Sequence, residues 1–128
     1  MVTFADFAAV DGVPIYLQIM RYVKQGLVSG AIRPGDELPS RRALSALLTV
    51  NPNTVQKAFR ALEEEGLITS RSGAMSTVCA GEEQIAAVRR ELVEGELRQM
   101  AAAVRAMGLG RQEALALLAD ILEEEERA

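Results

Sequence analysis

Residues 34–67 read PGDELPSRRALSALLTVNPNTVQKAFRALEEEGL. The punctuation and period of this stretch predict two short helices that meet at a tight turn. Pro34-Gly35 is a turn signal. Ser40 can cap a helix by accepting a hydrogen bond from one of its free N–H groups, and Leu44, Leu47 and Leu48 fall on one face behind it. Thr49-Val50 is the turn. Asn51 is a second cap, and Pro52 follows at the first helical position, where its missing N–H costs nothing. Val55, Ala58, Phe59 and Leu62 then recur at helical spacing, and Gly66 stops the run.

The flanks complete a recognisable order. Upstream, Pro14 suits the first turn of a helix whose inner residues are Ile15, Ile19, Tyr22, Val23 and Leu27, ending near Ser29-Gly30. Tyr16 and Gln18 read as packing and polar surface. Phe4 and Phe7 belong to an arm that packs on the body, and Asp36-Glu37-Leu38 is a short extended piece. Downstream, two strands are predicted over 67–71 and 75–79, with Ser72-Gly73-Ala74 as the hairpin tip. A long helix is predicted from Glu82 to about Met107, closed by Gly108, and a last one from about Gly110. Its acidic end, Glu123 to Glu126, opposes the helix dipole and is expected to fray. The predicted fold class is mainly α with a small β-hairpin. A winged helix-turn-helix with an N-terminal arm occupies residues 1–80, and a two-helix C-terminal module occupies 81–128.

Composition narrows the chemistry. The 128 residues are 49% hydrophobic and 25% charged, as in a globular domain. There is no histidine, so Ser/His and Cys/His nucleophile pairs and His-ligated metals are excluded. Cys79 is the only cysteine and cannot form an internal disulfide or a thiolate cage. An enzyme is disfavoured, and no cofactor or metal is expected. No apolar run approaches the ~18 residues of a membrane span, and no secretion signal opens the chain, so the expectation is a cytoplasmic protein without a membrane partner. The net charge of -4 argues against a nucleic-acid ligand only while the chain is treated as uniform. Residues 1–80 carry eight basic and seven acidic residues, whereas 81–128 carry six arginines and eleven acidic residues. The acidity belongs to the C-terminal module.

The exposed residues of the predicted second and third helices suit DNA. Asn53, Lys57, Arg60 and Glu64 share a face, with Thr54 and Gln56 beside it. Asn and Gln can pair with adenine edges, Thr can reach phosphate or a thymine methyl, and Lys neutralises phosphate. Glu63-Glu64-Glu65 at the far end would repel DNA, so contact belongs to the N-terminal half of that helix. Ser40, Arg41 and Arg42 begin the preceding helix, where free N–H groups and the helix dipole attract phosphate. Arg71 and Ser72 flank the wing tip.

These residues resemble the GntR family of bacterial transcription regulators. The pattern runs from Pro14 to Val78 and centres on Pro34-Gly35-Asp36-Glu37-Leu38-Pro39-Ser40-Arg41-Arg42-Ala43-Leu44, followed by Thr54-Val55 and Glu65-Gly66-Leu67-Ile68. The resemblance implies DNA contacts at Arg42, Asn51, Asn53, Thr54, Gln56 and Gly73. Asn51-Pro52-Asn53 stands where many members have Ser or Thr and then Arg, as in the short YtrA-like branch. Thr49 stands where the turn usually has Gly, so a relaxed turn is expected. The wing reads Gly73-Ala74-Met75-Ser76-Thr77-Val78 in place of Gly-x-Gly-Thr-Phe-Val.

Two amphipathic helices cannot bury broad apolar stripes between themselves alone. A second copy would cover them, with Leu92, Leu97, Met100, Val104, Met107, Leu115, Leu118 and Leu122 as the expected dimer interface. The resemblance implies such a dimerisation module, a double-stranded DNA operator and repression, often of transporter genes. No effector is named by the sequence. The alternative reading is a winged-helix adaptor that binds protein, which an apolar exposed patch over Arg41, Arg42, Asn53 and Lys57 would favour and a positive potential there would disfavour.

Overall fold

The computed structural model describes residues 1–70 and 75–128. Among them the order is α1 (Ile15–Ser29), α2 (Arg41–Leu48), α3 (Pro52–Glu64), β1 (Ile68–Ser70), β2 (Ser76–Val78), α4 (Glu82–Ala106) and α5 (Arg111–Arg127). The predicted hairpin tip lies outside the described residues. Two compact units are present, Met1–Arg90 and Glu91–Ala128. The first extends past the composition break at Gly81 because Val88, on the first turns of α4, is buried within it.

Local chemistry places each boundary. Ser40 Oγ accepts from Ala43 N at 3.1 Å, and Asn51 Oδ1 accepts from Asn53 N at 2.8 Å, so both expected caps form. Helix α3 ends where Gly66 turns left-handed, with φ 76°. That turn lets Leu67 N donate to Leu62 O at 3.0 Å and drops Leu67 into the core. The turn between α2 and α3 does the same without glycine. Thr49 is left-handed at φ 56° and ψ 52°. The turn does not relax, because Val50 N donates to Ser45 O at 3.1 Å and Ser45 Oγ donates to Val50 O at 2.6 Å.

Strands β1 and β2 pair antiparallel with Ile68 opposite Val78 and Ser70 opposite Ser76. Among the described residues β1 starts one residue after the predicted 67, and β2 lies one residue inside each end of the predicted 75–79. The Asp36–Leu38 segment lines the other edge of β2: Leu38 N donates to Ser76 O at 2.9 Å and Val78 N to Asp36 O at 2.8 Å. The core under this sheet is Ile19, Val23, Leu38, Leu44, Val55, Phe59 and Leu62, all fully buried. Burying each such side chain contributes about 1.5–3 kcal/mol. Lys24 is also buried, its ammonium 2.9 Å from Glu65 Oε1 at the end of α3.

The arm is tied to this body. Val2 N donates to Glu37 O at 2.8 Å, Phe4 stacks on Tyr22 at 4.5 Å, and Phe7 meets both rings edge-on. Tyr22 OH donates to Asp6 Oδ1.

In the second unit, Gly108 (φ 81°) reverses the chain between helices, and Leu109 N closes onto Val104 O at 3.3 Å. Helix α5 has no fully buried residue. It continues through the acidic run to Arg127, whose guanidinium meets Glu123 at 2.8 Å one turn back. No helix among the described residues is long and apolar enough to cross a membrane.

Candidate nucleic-acid interface

Helix α3 buries Val55, Ala58, Phe59 and Leu62 and turns Asn53, Lys57, Arg60 and Glu64 outward. Thr54 and Gln56 are half-buried at the margins of that face. Asn51 is exposed, but its side chain is engaged in capping. A shallow groove beside α3 is lined by Tyr16, Asn53, Gln56, Lys57, Arg60 and Glu64. Two cations and two amides against one carboxylate make it a surface for an anionic, hydrogen-bonding ligand, not the apolar patch of an adaptor.

At the start of α2 the three predicted residues separate. Ser40 Oγ is used as the cap, which leaves its backbone at the helix N-terminus. Arg42 is exposed, and among the described residues it makes no ion pair. Arg41, expected at phosphate beside it, is turned inward instead. Its guanidinium lies 5.3 Å from the Phe59 ring centroid, 3.0 Å from Glu63 Oε1 and 3.3 Å from Ser70 Oγ. Ser70 Oγ donates to Glu63 Oε1 at 2.6 Å and lies 3.1 Å from Ser76 Oγ. An aromatic face and a carboxylate together outcompete solvent for the planar guanidinium. Arg41 therefore joins α2, α3 and both strands.

This changes the meaning of the acidic triple. Glu63 is paired with Arg41 and Glu65 with Lys24, so Glu64 is the member whose charge is left on the outer face. The pairings link positions 22 and 41 residues apart, and no local sequence pattern signals them. Tyr16, which the sequence reads as a packing residue, borders this groove, and Lys57 Nζ sits 4.0 Å from its ring centroid. Arg71 and Gly73 lie outside the described residues.

The predicted interface positions of the second unit are accessible. Leu97, Met100, Met107, Leu115 and Leu122 are exposed, and Leu92, Val104 and Leu118 are half-buried. A concave apolar surface between the helices is bounded by Leu97, Met100, Val104, Leu115, Leu118 and Ile121.

Two helices crossing at a tight turn, with a hairpin behind them and a polar, cationic outer face on the second, define a winged helix-turn-helix DNA-binding protein. Residues 15–78 match the family described as "Bacterial regulatory proteins, gntR family", and the chain belongs to the GntR family. It is 47% identical over 60 residues to the HTH-type transcriptional repressor YtrA of Bacillus subtilis, covering 47% of this chain and 46% of that protein. The match to the HTH-type transcriptional regulator YhcF of the same organism is 34% over 106 residues, covering 80% of this chain and 84% of that one. A GntR family transcriptional regulator from Listeria monocytogenes superposes with a TM-score of 0.74 at 27% identity, over 88% of this chain and 98% of that one. These relatives are transcriptional regulators, not enzymes.

Proposed function

We propose that the chain is a homodimeric, cytoplasmic repressor that reads an inverted-repeat operator, with transporter genes as its targets. Each protomer sets the N-terminal half of α3 in the major groove. Asn53, Thr54 and Gln56 meet base edges, Lys57 meets phosphate, and Arg42 meets phosphate beside the N-terminus of α2. Asn51 contributes through the cap that orients Asn53. Arg41 acts from behind, fixing α2 against α3 and the hairpin. Residues 1–80 form the DNA-binding part, and 81–128 hold the two copies together.

The observation that carries this reading is the division of charge on α3. Glu63 and Glu65 are neutralised from within by Arg41 and Lys24, while Lys57 and, on α2, Arg42 have no carboxylate partner among the described residues. The test is a salt titration of duplex binding by the full chain. Arg42→Ala is expected to weaken binding to every sequence and to lower the slope of log K against log salt by about one. Equal affinity and slope for variant and parent would remove Arg42 from the interface.

A further inference from the structure

We propose that Tyr16 is a positioning residue for DNA binding: its ring holds the Lys57 ammonium at the edge of α3 that faces the phosphate backbone. The proposal rests on the interface assigned above. The Lys57 Nζ lies 4.0 Å from the Tyr16 ring centroid, close enough for the ring face to attract the charge. Lys57 is exposed and has no carboxylate partner among the described residues. Without the ring its flexible stem would sweep through many rotamers, and a phosphate contact would have to order them. The ring covers one side of the ammonium, which still has N–H groups free to meet a phosphate oxygen.

The platform itself is fixed. Tyr16 is half-buried in the first turn of α1. Two residues on, Gln18 fastens the incoming chain: its Oε1 accepts from Val10 N at 2.9 Å, and its Nε2 donates to Val10 O at 3.0 Å and to Val13 O at 2.8 Å. Along the same groove Arg60 offers further donors to the phosphate backbone, with Glu64 beside it. A helix outside the helix-turn-helix pair thus sets the position of one of its contacts.

The experiment is a double-mutant cycle in the full chain, read against an operator duplex that the parent recovers from a random library. Lys57→Ala is expected to lower the salt slope by about one. Tyr16→Leu is expected to weaken binding about two- to fivefold in the parent. In the Lys57→Ala background it is expected to have no effect. Tyr16→Phe keeps the ring and is expected to bind like the parent. Thermal unfolding of each variant verifies that it is folded.

An equal loss from Tyr16→Leu in both backgrounds would make Tyr16 a packing residue and overturn the proposal. Tighter binding by Tyr16→Leu would mean that the ring withholds Lys57 from DNA, and would overturn it too. A loss in Tyr16→Phe as large as that in Tyr16→Leu would assign the effect to the hydroxyl. An unchanged slope in Lys57→Ala would show that the interface assignment of Lys57 had failed, separately from any fault in the role of Tyr16.

Discussion

Thr49 bears a conformation that glycine adopts freely. A left-handed φ costs a residue with a Cβ about 1–2 kcal/mol, whereas the extra freedom of glycine in the unfolded chain costs about 0.5–1 kcal/mol. The first effect is larger, so Thr49→Gly is expected to stabilise the fold by about 0.5–1 kcal/mol, read from the urea midpoint. A loss of stability would show that the threonine side chain makes a compensating contact. Tyr22 gives a pH dependence. Burial, and then the hydrogen bond and charge of Asp6, push its hydroxyl from 10.0 up to about 12. The folded chain therefore keeps this proton where the unfolded chain releases it. Its stabilising contribution is complete below pH 10.0 and is lost as pH rises towards 12. Alkaline unfolding followed by tyrosinate absorbance should show this loss in the parent and not in Tyr22→Phe. An identical alkaline profile for the two would mean that the Asp6 contact does not persist in solution.

Helix α2, helix α3 and the hairpin meet at the Arg41–Glu63–Ser70–Ser76 cluster, and neighbouring glutamates on α3 test what that cluster does. Glu63 accepts from Arg41 and Ser70, whereas Glu64 is exposed beside the interface. Arg41 and Glu63 are each about a third exposed, so solvent screening keeps the pair far below a buried ion pair. Glu63→Ala is expected to cost about 1 kcal/mol, because Ser70 and a partly buried guanidinium lose their acceptor together. Glu64→Ala is expected to leave stability within about 0.5 kcal/mol and to tighten DNA binding by removing a like charge. Equal stabilities for the two variants would count against the cluster. The helices and their caps were legible in the sequence because Ser40, Asn51, Pro52 and Gly66 act on their immediate neighbours. The outward face of α3 was legible because helical period alone assigns it. The inward turn of Arg41 and the pairing of Lys57 with Tyr16 were not, because each depends on a partner brought near only by the tertiary fold.

On the proposed reading the two units, Met1–Arg90 and Glu91–Ala128, divide the work of the chain, and the second calls for a partner copy. Met100, Leu122 and Leu115 are 51%, 54% and 57% exposed. Burying what remains exposed would contribute about 0.8–1.7 kcal/mol for each. In the proposed dimer a second copy supplies that burial, against the repulsion of two segments of net charge -5. Leu115→Glu places a further charge at this surface and is expected to yield monomers by sedimentation velocity. Operator affinity should fall by at least about a hundredfold, since binding becomes monovalent. Salt then separates the two equilibria. Screening weakens repulsion between acidic modules and should leave the parent dimer intact or tighter as salt rises. The same salt weakens DNA binding steeply, because each neutralised phosphate adds about 0.9 to the slope. A parent dimer that dissociates with rising salt would imply ion pairs, not apolar burial, as its adhesive. A Leu115→Glu protein that stays dimeric would place the interface elsewhere on the chain.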